Sequence, residues 1–319
     1  MKDPFGREIT YLRISVTDLC NLRCVYCMPA EGVAKLSHKD ILSVEEIEEI
    51  ARAAAELGIT KIRVTGGEPL VRKGIIEICR RISSAPGISE VCLTTNGTLL
   101  PQFAPQLRAA GIKRLNISLD SLDPETYRAI TRGGELADAL RGIEAARSAG
   151  FGAIKINAVL LGGVNDSEIR ELAELSRDSN THVRFIELMP IGATETGIWR
   201  YIPGDAVLSA IPELEPLGTD GVTRLFALPG ACGTVGLISP RSRHFCPSCN
   251  RIRVTSDGKL KPCLHSPDEI DLRVKCPAGA LRGGDLKAII SEAVMKKPQG
   301  HSLDTGASGS LRDMNKIGG

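Results

Sequence analysis

Residues 61–69 read KIRVTGGEP. A short run in which Lys61 and Arg63 alternate with Ile62 and Val64 stops at two glycines, an acid and a proline. Five further segments are built the same way: YLRISVTD (11–18), EVCLTTNG (90–97), RLNISLDS (114–121), KINAVLLGG (155–163) and VRFIELMP (183–190). Each is a β-branched run closed by Gly, Asn, Asp or Pro, the pattern of a strand buried in a parallel sheet. Helical patterns fill the gaps. Ser43 and Glu46 form a capping box ahead of VEEIEEIARAAAELG, and Gly58 ends it. Further helices are expected over 74–84, 101–110, 136–149 and 166–178. Strand followed by helix, about six times over, argues for an α/β fold, either a parallel barrel or a doubly wound sheet. The polar residues collect at the strand ends: Thr17-Asp18, Gly66-Gly67-Glu68, Thr94-Thr95-Asn96, Ser118, Asp120 and Met189. A βα barrel builds its active site there. The expected architecture is therefore a partial (β/α)6 TIM-type barrel over 1–203 with a smaller α+β extension over 204–319. Near Pro203 the alternation fades and Pro and Gly increase. Short strands (TRLFALPG, GTVGLISP, NRIRVTSDGKLKPC), a hairpin at SDGK (256–259) and one helix near 284–297 are expected beyond it. By composition alone, the polar, Gly-rich tail from 298 reads as a disordered terminus.

Forty basic against 38 acidic residues leave a net charge of +2, which argues against a general nucleic-acid binder. Aromatic residues make up 3%, too few for a base-stacking platform. No apolar run approaches the roughly 18 residues of a membrane span. The start, MKDPFGREIT, carries no apolar signal core, so the expected location is the cytoplasm, with no membrane partner. The ten cysteines are then thiols or metal ligands rather than disulfides.

Three of them crowd into CNLRCVYC (20–27) with the spacing C-x3-C-x2-C. Three thiolates on a four-iron cluster leave one iron open, the mark of a reactive site. The alternative is zinc completed by a distant histidine such as His38. Cys246, Cys249 and Cys263 form a second group, C-x2-C-x13-C. It reads equally as a Cys₃His zinc site with His265 or His244, or as a four-cysteine site borrowing Cys232 or Cys276. Cys79 and Cys92 read as core thiols. No Walker phosphate loop is present. Basic residues instead occupy strand positions (Arg13, Lys61, Arg63, Lys155, Arg184) and the neighbourhood of the second cysteine group (Arg251, Arg253). Residues two apart on a strand share a face. Inward-facing cations need a partner, and a bound polyanion would serve, with Arg suited to phosphate. The five histidines suggest no catalytic pair.

CNLRCVYC, with an aromatic before its last cysteine, and GGEP at a strand end together resemble the radical S-adenosylmethionine superfamily. A closer resemblance runs along nearly the whole chain. LRISVTDLCNLRCVYCMPAEG, KIRVTGGEPLVR, LTTNG, LNISLDSLD, KINAVLLGGVND, RFIELMPIG, GLISPRSRHFCPSCNRIRVTSDGKLKPCL and the terminal IGG are similar to the GTP 3′,8-cyclase family, the molybdenum cofactor biosynthesis protein A family. That resemblance implies two 4Fe-4S clusters, one on Cys20, Cys24 and Cys27 and one on Cys246, Cys249 and Cys263. It implies S-adenosylmethionine on Tyr26, Gly67, Ser118 and Met189, with Asn96 and Asp120 either in this set or capping loops. It implies GTP on Arg13, Lys61, Arg63, Thr94, Lys155, Arg184, Arg251 and Arg253. Arg251, Arg253 and the tail residues Gly318 and Gly319 would join the cluster cysteines in catalysis. The implied reaction is the conversion of GTP to 3′,8-cyclo-7,8-dihydro-GTP, the first step of molybdopterin assembly. Expected partners are an external electron donor, the next pathway enzyme (cyclic pyranopterin monophosphate synthase) and a second copy of the chain.

Overall fold

The computed structural model describes residues 1–34, 36, 37, 39–192, 199–273, 283–301, 303, 309, 310 and 312–318. Six strands, β1 (Tyr11–Ser15), β2 (Lys61–Thr65), β3 (Glu90–Thr95), β4 (Arg114–Ser118), β5 (Ile154–Leu160) and β6 (Thr181–Glu187), lie side by side in chain order, all parallel. The helices between them are α1 (Val44–Glu56), α2 (Ile75–Ser83), α3 (Leu100–Ala109), α4 (Pro124–Thr131), α5 (Leu136–Ser148) and α6 (Ile169–Glu174). This is the expected partial α/β barrel.

Residues past 203 contribute α7 (Ala206–Ala210), α8 (Gly283–Met295), α9 (Met314–Ile317) and further strands of the same sheet. These strands are β7 (Glu215–Asp220), β8 (Thr223–Ala227), β9 (Val235–Ile238), β10 (Arg251–Val254), β11 (Lys259–Lys261) and β12 (Ile270–Asp271). Strand β9 lies parallel to β6, and β10 lies parallel to β1. Antiparallel β8 and β7 extend one edge, and β11 and β12 extend the other. The sheet order runs β12-β11-β10-β1-β2-β3-β4-β5-β6-β9-β8-β7, so the barrel stays open between β12 and β7.

Side chains alternate across a strand. Leu12, Ile14, Ile62, Val64, Ile252 and Val254 point outward and are buried in the core. Tyr11, Arg13, Lys61, Arg63, Arg251 and Arg253 point inward and line the lumen. Register stacks these inward residues in two rows, Arg251–Tyr11–Lys61 and Arg253–Arg13–Arg63.

The capping box forms as expected: Ser43 Oγ accepts from the Glu46 N–H, and Glu46 accepts from the Ser43 N–H. Two expectations need correction. The helix expected over 166–178 is a 3₁₀ turn followed by α6, which ends at Glu174. Beyond it the Ser176 and Arg177 carbonyls accept from Gly233 and Cys232 N–H groups, so neither can continue a helix. The tail is not featureless: α9 forms, with Asn315 and Ile317 buried. Five elements escaped the sequence reading: α4, α7, α9, β7 and β12. Among the described residues, no helix is long and apolar enough to cross a membrane.

Candidate functional site

The lumen holds a cavity of about 420 Å³. Every expected cluster, S-adenosylmethionine and GTP side chain (with Gly67) lines it, from Arg13 to Cys263. Gly318 touches that wall through Arg253, and Gly319 lies outside the described residues.

The two thiol groups sit at opposite ends. Cys20, Cys24 and Cys27 follow the C-terminal end of β1, whereas Cys246 and Cys249 precede the N-terminal end of β10, which runs parallel to it. A strand as long as β1, five residues, separates the ends by about 13 Å at a rise of ~3.3 Å per residue. Strand-borne cations occupy the interval.

At the first end, the Cys27 and Met28 N–H groups donate to the Cys24 carbonyl (3.0 and 3.3 Å), which curls the loop. Cys20 Sγ accepts from the Leu22 N–H at 3.3 Å and from Asn96 Nδ2 at 3.9 Å. Burial pushes the Cys20 thiol up to about 11 and Cys27 to about 12, and raises Cys24 well above its ordinary value. As free thiols they would be inert. Three sulfurs facing one cavity with N–H donors around them fit a metal cluster, which takes them as thiolates. His38, the zinc alternative, lies outside the described residues.

The GGEP loop lies directly on this cysteine loop. Gly67 N–H donates to the Thr17 carbonyl and Glu68 N–H to the Leu19 carbonyl, both at 2.8 Å. A Cβ on Gly67 would stand 2.5 Å from the Leu19 carbonyl oxygen, so no larger residue fits without a shift. Buried Glu68 then accepts from the N–H groups of Leu70 (3.0 Å) and Asn96 (2.7 Å) and from Thr95 Oγ1 (2.8 Å), tying β2 to β3. Burial raises Glu68 to about 7 against the pull of those donors. Tyr26 Oη donates to Asp120 Oδ2 at 2.7 Å, and Asp120 Oδ1 accepts from the Val159 N–H at 2.8 Å. Asp120 thus anchors Tyr26 to β5, and Asn96 bridges to Asn21 (2.9 Å). Both line the cavity while tying loops together.

In mid-lumen, Arg63 Nε donates to Tyr11 Oη and its Nη1 to Thr94 Oγ1 at 3.1 Å. Lys61, Arg63 and Arg251 all stand within 6 Å of the Tyr11 ring centre (5.2, 5.9 and 5.6 Å). Burial would raise the Tyr11 phenol, but Arg63, Arg13 and Arg251 outweigh it and bring it down to about 7. Burial depresses Arg13 far below its ordinary value, with Arg253 adding to the effect. Burial lowers Arg184 and Arg253 to about 10 and Lys155 to about 8. Asp220, at the tip of the β7–β8 hairpin, accepts from Lys155 (3.2 Å) and Arg184 (3.0 Å) through one oxygen. So dense a cation set is costly unless an anion joins it.

At the second end, Arg7, itself paired with Asp3, donates to the carbonyls of Cys246 (2.9 Å), Gln299 (3.0 Å) and Pro298 (2.6 Å). Lys297 Nζ reaches Cys249 Sγ. Ligand atoms of His244, Cys246 and His301 lie within 4.8 Å of one another, and His265 stacks edge-on against His301. Of the other candidate ligands, Cys232 is exposed and Cys276 lies outside the described residues. Cys79 and Cys92 are core thiols as expected.

Sequence reasoning missed Tyr11, Asp220, Lys297, His301 and Asn315. Tyr11 was within reach, because it shares the inward face of β1 with Arg13. A single Asp, Lys, His or Asn far along the chain carried no such signal.

Residues 14–176 match the Radical SAM superfamily, and residues 181–303 match the family described as Molybdenum Cofactor Synthesis C. Among similar proteins, the GTP 3′,8-cyclase of Peptoclostridium acidaminophilum is 52% identical, covering 99% of this chain and 98% of its own. That of Alkaliphilus metalliredigens is 52% identical with both chains fully covered. Among solved structures, Streptococcus suis SuiB bound to S-adenosylmethionine superposes with a TM-score of 0.65 at 17% identity, over 97% of this chain and 77% of that one. That likeness is one of fold.

Proposed function

The chain belongs to the GTP 3′,8-cyclase family, within the Radical SAM superfamily, and from that premise we propose which residues carry each part of the reaction. The enzyme converts GTP to 3′,8-cyclo-7,8-dihydro-GTP, the first step of molybdenum cofactor biosynthesis, using S-adenosylmethionine and two 4Fe-4S clusters. Cys20, Cys24 and Cys27 would hold the first cluster, which would supply the electron for reductive cleavage of S-adenosylmethionine.

The remaining work falls to the chain. In this reading Tyr26, Gly67, Ser118 and Met189 seat S-adenosylmethionine, with Asp120 holding the Tyr26 ring and Glu68 holding the glycine loop. Lys61, Arg63, Lys155, Arg184, Arg251, Arg253 and Arg13 take the triphosphate, with Thr94 beside Arg63. Phosphate oxygens that take the place of Asp220 at these side chains offset the cost of burying so many cations. Cys246, Cys249 and Cys263 would hold the second cluster, which would supply a metal contact for the guanine base. Gly318, with Gly319 beyond it, completes the wall next to the reacting ribose. Residues 1–203 are then the radical core and 204–319 the second-cluster region. They divide by role, for β9 and β10 belong to the common sheet. An external one-electron donor, the next pathway enzyme and a second copy of the chain are the partners in this reading. A low-potential reductant and free thiols suit the cytoplasm.

One observation carries the assignment: the strand-borne cations line the lumen between two three-thiol groups a strand's length apart. Reconstituted protein incubated anaerobically with GTP, S-adenosylmethionine and dithionite should yield 5′-deoxyadenosine and an isomer of GTP. Cleavage without the isomer would refute the substrate, and no cleavage would refute the whole reading.

A further inference from the structure

The two thiol groups sit in opposite electrostatic surroundings. Carboxylates bear on the first: Glu68 on Cys20, ahead of the opposing Arg23, Asp120 on Cys24, and Asp313 then Asp120 on Cys27. Cations bear on the second: Arg7 on Cys246, and Lys297 and Arg251 on Cys249.

Lys297 is the most specific of these. It lies two residues past the end of α8 and is buried, 3% exposed. Its ammonium group has three N–H donors. Nζ reaches the Arg251 carbonyl at 2.8 Å, the Pro262 carbonyl at 2.9 Å and Cys249 Sγ at 3.6 Å. The two carbonyls belong to the start of β10 and to the residue before Cys263. They aim the third N–H at the sulfur and join both cysteine segments. A lysine that served only as a strut would not need its charge beside a thiolate.

We propose that Lys297 is a redox-positioning residue: its ammonium, held by Arg251 and Pro262 against Cys249 Sγ, keeps the C-terminal cluster at a higher reduction potential than the N-terminal one. The inference rests on the second cluster of the proposed function. Reduction adds one negative charge to a cluster. A fixed cation at hydrogen-bond range of a ligand sulfur stabilises that charge, because hydrogen bonding to ligand sulfurs is one lever on cluster potential. At the N-terminal group, Glu68 and Asp120 act in the opposite sense, and the donors reaching Cys20 Sγ are the neutral N–H of Leu22 and amide of Asn96. Electrons from an external reductant therefore fill the C-terminal cluster first.

The test uses reconstituted full-length protein and a redox titration read by electron paramagnetic resonance. Cys24→Ala isolates the C-terminal cluster, and Cys246→Ala isolates the N-terminal one. The midpoint in the first variant should exceed that in the second. Adding Lys297→Met to Cys24→Ala should lower the reduced-to-oxidised ratio at fixed poise at least tenfold, about 59 mV for one electron. Lys297→Arg should restore part of that shift. Equal or inverted midpoints overturn the proposal, as does an unmoved midpoint in a Lys297→Met protein that keeps its iron. If Lys297→Met sheds the cluster, the order of the two midpoints decides alone. Should Cys24→Ala hold no iron at its remaining site, the second cluster itself is wrong, and the inference falls with it.

Discussion

Arg253 Nη1 donates to the carbonyl of Gly318 at 2.7 Å, and Arg13 Nη2 reaches the same oxygen at 3.4 Å. Two lumen arginines thus hold the C-terminal tail. Asn315 Nδ2 adds a bond to the Asp18 carbonyl, beside the first cysteine loop, at 3.0 Å. The same two arginines that bind the tail are assigned to the triphosphate, so tail and substrate are linked through both guanidinium groups. Gly318 has φ +79, and a Cβ there would stand 2.3 Å from Thr65 Oγ1 and 3.1 Å from Ser15 Cβ. Gly318→Ala should therefore displace the tail yet leave both thiol groups alone. Iron content and S-adenosylmethionine binding should match wild type, while cyclisation drops by about 100-fold, the usual cost of a misplaced reacting group. Wild-type turnover in Gly318→Ala would remove the tail from the mechanism.

Asp220 offers a second test. Its carboxylate occupies Lys155 and Arg184 together, at 3.2 and 3.0 Å, from a hairpin tip whose side chain is 55% exposed. A phosphate must compete with it. Pairs this open to water are worth about 0.2–1 kcal/mol. Asp220→Asn should thus tighten GTP binding by about 1.4- to 5-fold in calorimetry of the reconstituted enzyme, with S-adenosylmethionine binding unchanged. Weaker GTP binding would mean that Asp220 arranges the two cations instead of competing for them.

What the sequence disclosed and what it hid follow from the range of the forces involved. Ile62 and Val64 advertise β2 because their outward face is buried against helices, whereas β7 shows nothing, since all six of its residues are exposed. Helix α4 was legible in principle: Asp123 caps it by accepting from the Thr126 N–H, and Pro124 opens it. The two cysteine groups declare themselves because their ligands are near neighbours in the chain. Lys297 does not, for its function exists only once the end of α8 meets the residues flanking Cys249 and Cys263. That the two thiol groups face each other along the lumen was equally hidden, since β10 joins β1 across some 240 residues of chain.

GTP affinity should depend on pH through Tyr11 and Lys155. Tyr11, brought down to about 7 by its arginines against burial, becomes an anion as pH rises through that value. Lys155, lowered to about 8 by burial and then by Arg184, becomes neutral as pH rises through 8. Both changes subtract positive charge from the same wall. Affinity is therefore fullest below about pH 7 and declines between 7 and 9, by up to about tenfold per pH unit for each group. Tyr11→Phe should remove the lower inflection, and Lys155→Arg the upper one. Calorimetric titration without reductant decides; a flat profile from pH 7 to 9 in wild type would contradict the argument.

Glu68 tests how the glycine loop is held. Both its oxygens accept, from Leu70, Thr95 and Asn96, and the side chain is fully buried. Glu68→Gln replaces one acceptor oxygen with an NH₂ group that faces donors. The mismatch should cost about 1–3 kcal/mol in urea unfolding. It should also loosen S-adenosylmethionine binding, because Gly67 moves with the residue that follows it. Stability and S-adenosylmethionine affinity equal to wild type would show that the loop is held by its backbone bonds to Thr17 and Leu19 alone.

The two cysteine groups should be separable in both content and chemistry. Two four-iron clusters give about eight irons per chain, and losing one ligand group should leave about four. Cys24→Ala removes a ligand at the end where the GGEP loop meets Thr17 and Leu19, so S-adenosylmethionine cleavage should vanish while GTP still binds the strand-borne cations. Cys246→Ala removes a ligand at the other end, a strand's length away, and leaves Tyr26, Gly67 and Asp120 undisturbed. It should retain part of the S-adenosylmethionine cleavage, measured as 5′-deoxyadenosine under dithionite, and make no isomer of GTP. The contrast depends on distance: a lumen of this length lets one end fail without the other. If Cys246→Ala loses cleavage as fully as Cys24→Ala while holding about four irons, the two ends act as one unit, and the division of labour drawn from the geometry is wrong.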